Sequence, residues 1–322
     1  MILITGGAGY IGSHCVKEFL NNNYDCVILD DLSEGHSEAL LTDNFCKVNL
    51  LNKPDVEAVF DKYKIDAVIH FASNCYVGES VTNPSKYYNN NLRSTLNLLD
   101  TMVECNVKKI VFSSSCATYG LPQYMPIDEK HPQSPVNPYG MTKFFIEKIL
   151  KDYDIAYGLK YVSLRYFNAA GASSDCSIGE SHSPETHLIP LILQVAKGER
   201  DSIKVFGTDY ETPDGTCIRD YIHVEDLANA HRLAVEKLIN GESSDFINLG
   251  TGKGHSVKEI IDIVEKVTGK SVKKEYAERR AGDPSHLVAA NSKALNELKW
   301  TPKYNIENII KTAWDWELNR KY

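Results

Sequence analysis

Apolar and polar residues alternate in blocks along the first half of the chain. Short apolar runs at 1–5 and 26–30 end in turn-forming residues, and a mixed run at 45–50 reads as a weaker strand. Runs at 67–72 and 109–114 complete a set of strands. Between them lie helix-length segments at 10–22, 53–63 and 91–105. The last carries Leu92, Leu96, Leu99 and Val103 at three- and four-residue steps, an amphipathic stripe. Strands alternating with helices predict an α/β fold with a parallel sheet wound on both faces and right-handed crossovers. A further helix is predicted over 139–153 and a strand over 161–167. The rhythm then loosens: 169–185 is rich in Gly, Ser, Pro and Asp and reads as a loop or domain junction. Helices are expected again at 187–197, 224–239, 257–268 and 306–319, with no repeat or low-complexity tract.

Composition narrows the function classes. The 322 residues are 43% hydrophobic and 24% charged, enough apolar material for one large α/β domain or two smaller ones, and too much for a disordered chain. The net charge of −8 argues against a protein that holds nucleic acid or an anionic membrane. The most apolar stretch, 188–196, is broken by Pro190 and Gln194 and is far too short for a membrane span. The opening residues lack a signal-peptide pattern. The eight cysteines include no CxxC pair, so free thiols in a reducing cytoplasm are expected.

Two constellations carry chemistry. Residues 1–5 run into Gly6-Gly7-Ala8-Gly9-Tyr10-Ile11-Gly12. Glycines at 6, 9 and 12 suit a tight turn, close approach to a pyrophosphate, and packing of the next helix on its strand. That helix offers uncapped N–H groups to phosphates. Asp30 ends the second strand 18 residues after Gly12, where a carboxylate accepts from an adenosine ribose and repels a 2′-phosphate. The cofactor expected is NAD rather than NADP. Further on, Tyr139 and Lys143 stand four apart on one helix face, and Ser115 follows the strand 109–114. A phenol titrates near pH ~10, so a neighbouring ammonium, with a bound nicotinium ring adding to it, is expected to lower it and fit it for proton removal from an alcohol. No metal is expected.

The motifs GGAGYIGSH, HFAxxxxVGES, FSSS, YGMTK, LRYFNxxGA, DGTxIRDYIHVxDLA and RRAGDP stand in order along the whole chain. On these it resembles the extended short-chain dehydrogenase/reductase family, on its sugar-nucleotide epimerase branch. The resemblance implies a Rossmann-type NAD-binding domain over 1–168 and a smaller C-terminal α/β UDP-sugar domain over 169–322, with some chain crossing between them. It implies NAD-dependent epimerisation at carbon 4 of UDP-hexoses through a transient 4-keto sugar, in galactose metabolism, by a cytoplasmic homodimer packed through 91–105 and 139–153. Ser115, Tyr139 and Lys143 match the catalytic positions. Gly6, Gly9, Tyr10, Ile11 and Gly12 would form the phosphate turn; Asp30, Asp31, Leu32 and Ser33 would surround the ribose. Asn49 and Leu50 would meet the adenine, and Phe71, Ala72, Ser73, Asn90 and Phe167, with Tyr139 and Lys143, would line the cofactor. Asn91 reads as a helix cap.

For the substrate, Arg219 and Arg280 would clamp the diphosphate and Asp283 bind the uridine ribose. Asn168, His187, Leu188 and Tyr221 would lie near the sugar nucleotide; His187 could equally cap the following helix. Lys204, Val205 and Phe206 would present backbone and a ring to the uracil. Arg279 reads as surface or ion-paired. Two departures from the family pattern matter. Cys75 stands where relatives often have a lysine reaching NAD, which weakens one cofactor contact. Leu287 stands where hexose-restricted relatives have tyrosine, so UDP-N-acetylhexosamines are expected as substrates too. A dehydratase would need an acid/base pair where this chain has Cys116-Ala117. An NAD-sensing regulator would not need Tyr139 and Lys143.

Overall fold

The computed structural model describes residues 1–280 and 282–322. Contacts divide the chain into two compact units. Unit 1 is Met1–Gly120, Gln133–Tyr166 and Ala228–Ile247; unit 2 is Leu121–Pro132, Phe167–Leu227 and Asn248–Tyr322.

In unit 1 the chain runs β1 (Ile2–Thr5), α1 (Tyr10–Asn21), β2 (Cys26–Asp30), β3 (Phe45–Lys47), α2 (Lys53–Lys62), β4 (Ala67–His70), α3 (Val77–Thr82), α4 (Pro84–Tyr87), α5 (Arg93–Glu104), β5 (Lys109–Ser115), α6 (Pro138–Tyr157) and β6 (Lys160–Tyr166). Among the described residues a seven-stranded sheet has the order Asp245–Leu249, β6, β5, β4, β1, β2, β3. The pairs from β3 to β6 are parallel. The order reverses beside β1: β2 lies on one side and β4 on the other. That is the switch point where open α/β sheets bind ligands at the carboxyl ends of their strands. Strands buried on both faces read as unbroken apolar runs, as in Ile2–Ile4 and Val27–Leu29, which are almost fully buried.

Several elements differ from the sequence expectation. The weak strand ends at Lys47 rather than at 50. The helix expected from 91 begins at Arg93, after a wide π-helical turn over Tyr88–Leu92. Its core face is Leu98, Leu99 and Met102, packed with Ile146 and Leu150 of α6, while Leu92 and Val103 are only partly covered. The expected stripe at 92, 96, 99 and 103 shares only Leu99 with that core face. Helix α6 is longer than expected. Asn137 caps it by accepting from Gly140 N at 2.8 Å, Pro138 stands in its first turn, and Gly158 ends it at φ +68°.

Unit 2 contains β7 (Asn168–Ala170), α7 (Leu188–Lys197), β8 (Ile203–Phe206) and β9 (Ile218–His223). It also holds the first residues of α8 (Val224–Ile239), which returns the chain to unit 1, where β10 (Asp245–Leu249) joins the sheet edge. Then follow β11 (Gly254–Ser256), α9 (Val257–Thr268), β12 (Lys274–Ala277), β13 (His286–Leu287), α10 (Ser292–Leu298) and α11 (Ile306–Leu318). Strand β9 pairs with β7, β11 and β13, and β8 pairs with β12. Its core joins Ile192 and Leu193 of α7, Ile260 and Val264 of α9, and Ile309 and Ile310 of α11. These short strands were not read from the sequence, since two- to four-residue pairings leave no period to detect. No described helix is long and apolar enough to cross a membrane.

Candidate active site

The glycine turn follows β1. Gly6 sits at φ +72° and its N–H donates to Leu29 O at 2.8 Å. An added Cβ on Gly12 would lie 2.1 Å from Gly6 O, so only glycine lets α1 pack on the turn. Helix α1 starts at Tyr10 with no side-chain cap and no acidic residue in its first turn, so its leading N–H groups face outward with nothing negative beside them. An added Cβ on Gly9 would meet only Gly6 O, at 3.4 Å, which leaves open space beside those donors. Asp30 is buried, and its carboxylate accepts from Ala8 N at 3.0 Å and Leu32 N at 2.8 Å. Burial raises its pKa while the N–H groups of Leu32 and Ala8 oppose the rise. The acid is therefore tied to the glycine turn itself, and an uncapped helix, an open turn and a fixed acceptor together fit a dinucleotide.

At the expected adenine end the side chains already have local partners. Asn49 Oδ1 already accepts from Leu51 N at 2.9 Å, and its amide nitrogen donates to Asp31 at 2.8 Å. Asp31 also accepts from Ser33 N at 2.9 Å. Leu50 is buried in the unit 1 core, so its side chain is committed to packing.

The catalytic candidates meet at the end of β5. Gly140 lets α6 come close: a Cβ there would lie 2.5 Å from Ala117 O, in the turn just after Ser115. That approach brings Tyr139 into hydrogen-bonding contact with Ser115. Ser115 Oγ also accepts from Ala117 N at 3.1 Å. Lys143 is 2% exposed, so its ammonium is held entirely by protein. Its Nζ donates to Ser73 Oγ at 2.9 Å and to Ser113 O at 2.8 Å, 4.9 Å from the centre of the Phe112 ring and 5.7 Å from that of Tyr139.

The electrostatics correct one expectation. Burial pushes the Tyr139 phenol well above its ordinary value, the neighbouring Tyr166 adds to the rise, and the Ser115 hydrogen bond only partly opposes it. Burial also pulls Lys143 down to about 8. The lysine does not by itself prepare a phenolate: desolvation outweighs attraction between two groups sharing one dry site. Proton removal by Tyr139 therefore needs further positive charge near its oxygen.

Three features here were missed in the sequence. Glu147, one turn beyond Lys143, accepts from Ser114 Oγ at 2.7 Å and from Arg165 Nε and Nη2 at 2.8 and 2.7 Å. This buried pair ties α6 to β5 and β6, and breaking such a pair costs about 3–5 kcal/mol. The four-residue spacing Tyr139, Lys143, Glu147 was the available signal. Tyr166 hydrogen-bonds Ser113 and lies half-buried beside the site. Asn91 is not a cap: it is fully buried, accepts from Asn74 N at 2.8 Å and donates to Asn74 O and Thr142 Oγ1, both at 3.1 Å. It fixes the loop that carries Ser73 against α6. Phe71 packs 4.7 Å from the His231 ring, Ala72 is half-buried, and Asn90 donates to Asn91 at 3.3 Å. Cys75 is exposed.

The proposed substrate residues lie in unit 2. Asn168 donates to Asp220 O at 2.8 Å and pairs with Tyr221, which is buried. Arg219 donates to Ile218 O and Pro284 O, both at 2.9 Å, and to Asp283 at 3.3 Å. Leu287 is half-buried and sits opposite Arg219 in the β9–β13 register. Arg280 stacks 4.0 Å over the Phe206 ring. Lys204 is exposed, whereas Val205 is fully buried, so only its backbone could meet a base. Phe167 is buried in the same unit. His187 precedes α7 without capping it; its ring turns to Glu180, and Leu188 opens the helix. Arg279 pairs with Asp209 at 2.7 Å, as expected of a surface charge.

Known proteins resemble the chain closely. A UDP-glucose 4-epimerase from Halalkalibacterium halodurans is 52% identical over 98% of this chain and 95% of that protein. The crystal structure of UDP-glucose 4-epimerase from Brucella ovis in complex with NAD matches with a TM-score of 0.96 and 48% identity, covering 98% of this chain and 97% of that one. The UDP-Glc/GlcNAc 4-epimerase of Campylobacter jejuni matches at 0.87 and 44%, over 99% of both chains. The family model described as NAD dependent epimerase/dehydratase matches residues 2–250, a span that contains the glycine turn, Asp30, Ser115, Tyr139 and Lys143. A dinucleotide turn and a Tyr–Lys–Ser cluster built on a buried lysine inside that match leave one assignment: the chain belongs to the NAD dependent epimerase/dehydratase family.

Proposed function

We propose that this enzyme interconverts UDP-galactose and UDP-glucose by NAD-dependent epimerisation at carbon 4, through a transient 4-keto sugar. The observation that carries the reading is Tyr139, hydrogen-bonded to Ser115 and set beside a fully buried Lys143 at the end of a dinucleotide-type sheet. Gly6, Gly9, Gly12 and Asp30 would hold the cofactor's pyrophosphate and ribose, and Lys143 with Ser73 would stand near its reactive end. Bound NAD supplies reversible two-electron oxidation of a carbinol carbon, and its positive ring supplies the charge that Tyr139 lacks. Tyr139 Oη takes the proton of the 4-hydroxyl and later returns it. Ser115 Oγ holds the same sugar oxygen. Lys143 supports the phenolate while its bonds to Ser73 and Ser113 keep the ammonium in place.

Arg219 and Arg280 would grip the diphosphate through their forked donors, with Asp283 on the uridine ribose. Arg219 would exchange part of its bond to Asp283 for phosphate oxygen. The Cys116-Ala117 sequence after Ser115 holds no acid/base pair for elimination of water. Half-buried Leu287 favours acceptance of UDP-N-acetylhexosamines. The protein works in the cytoplasm, a reading supported by its eight free cysteines. It pairs as a homodimer through α5 and α6, a reading supported by Phe145 and Ile155, which α6 leaves exposed; light scattering giving only a 36.1 kDa species would contradict this.

The test is incubation with UDP-galactose and no added NAD. UDP-glucose with no net cofactor reduction supports the proposal; a 4-keto-6-deoxy product, or no product with NAD supplied, overturns it.

A further inference from the structure

Between β7 and α7, within unit 2, four side chains converge that the proposed reaction does not use as a group: Glu180, His182, Glu185 and His187. One donor atom from each lies within 4.8 Å of every other. His187 Nδ1 is 2.6 Å from Glu180 Oε1 and 3.3 Å from Glu185 Oε1. His182 Nδ1 is 3.2 Å from Glu180 Oε1 and 3.7 Å from Glu185 Oε2. In a tetrahedral zinc site with bonds near 2.0–2.1 Å, neighbouring ligand atoms stand about 3.3 Å apart, and these separations bracket that figure.

Two further observations mark the cluster as built. Glu180 is 5% exposed, and its Oε1 makes no aligned hydrogen bond although two imidazole nitrogens lie within 3.2 Å. The backbone behind them is also fixed. Trp316 Nε1 donates to Glu180 O at 2.8 Å, and an added Cβ on Gly179 would strike the Trp316 ring at 2.4 Å. Glu185 Oε1 accepts from Thr186 N at 2.7 Å and His187 N at 2.8 Å, the outer hydrogen bonds that orient a ligating carboxylate.

We propose that Glu180, His182, Glu185 and His187 form a binding site for one divalent transition-metal ion, zinc by preference, that ties together the two ends of the segment 180–187 just before α7. Two imidazoles with two carboxylates suit a borderline cation. Magnesium and calcium favour all-oxygen sets, and copper(I) favours sulfur. Four protein ligands close the sphere, so the ion is structural and takes no part in hydride or proton transfer. The proposal stands whether or not UDP-hexoses are substrates.

The test uses the full chain, stripped with a chelator, exposed to zinc sulfate and desalted. Elemental analysis should find one zinc per chain. In His182→Ala and Glu185→Gln the retained zinc should fall at least tenfold. Cobalt(II) loading of the wild type should give the intense visible bands of a four-coordinate ion, absent in both variants. Zinc should raise the wild-type Tm by several degrees and leave the variants unmoved. Should His182→Ala fail to fold, Glu185→Gln and His182→Gln carry the same readouts. Less than a tenth of an equivalent in the wild type overturns the site. So does equal retention by wild type and variants, which would place the metal on thiols elsewhere.

Discussion

The clusters around Lys143 and around Arg219 treat charge in opposite ways. In unit 1 a single ammonium is buried, and every neighbour that holds it is itself held: Ser73 lies on a loop fixed by Asn91, and Ser113 lies on a strand tied to α6 through Glu147. Around Arg219 and Arg280 in unit 2 the two cations are held more loosely, by carbonyls, one carboxylate and a ring. Arg219 bonds to carbonyls and to Asp283, and Arg280 lies over an aromatic ring. A proton-transfer site needs oxygen atoms placed to within tenths of an ångström in a dry setting, which demands a network with no loose member. A diphosphate grip needs donors that can exchange one partner for another, which demands solvent and modest pairing.

The largest expected effect breaks the first region alone. Tyr139→Phe should lower turnover about 10³-fold while UDP binding, measured by calorimetry, changes less than about twofold. Near-normal turnover would remove Tyr139 from proton transfer.

Lys143→Met sharpens the contrast through stability. Turnover should fall about 100-fold. Yet the native lysine's pKa lies below its unfolded value, so at pH 7 folding is penalised by on the order of 3 kcal/mol for keeping the charge. Two lost hydrogen bonds from a charged donor, about 1.5–3 kcal/mol each, offset most or all of that, so any net gain in the variant stays below about 1 kcal/mol. The sign follows from the direction of the shift. Wild-type stability should rise with pH from about 8 toward the ordinary lysine value, because the unfolded chain holds the proton longer. Melting curves of both proteins at pH 7 and pH 10 check the gain and the slope.

In the second region, Arg219→Ala should raise KM for UDP-galactose about tenfold with kcat within about threefold. An equal fall in kcat would mean that the two regions are not separable. The smallest effect is expected at Leu287→Tyr, which should cut turnover of UDP-N-acetylgalactosamine relative to UDP-galactose by about threefold to tenfold. An unaltered ratio would remove Leu287 from substrate choice.

Local pattern alone carried much of the outcome. The β1–turn–α1 element, Asp30 at the end of β2, the Tyr139–Lys143 helix face, and helices α8 and α9 to the residue all rest on short-range rules: apolar period, glycine turns and capping. Other features depended on distant partners. Asn91 became a buried brace because Asn74 and Thr142 surround it, and Leu98 rather than Leu96 faces the core where Ile146 and Leu150 of α6 pack. Tyr139 lies above its ordinary titration range because burial there exceeds any attraction that a neighbouring lysine provides. Glu180 and His187 meet in a segment between β7 and α7 whose backbone Trp316, far away in sequence, holds through Glu180 O. Sequence periodicity reports which face of an element is apolar. Desolvation and side-chain convergence are properties of what the rest of the fold places around each atom, and only the tertiary structure sets them.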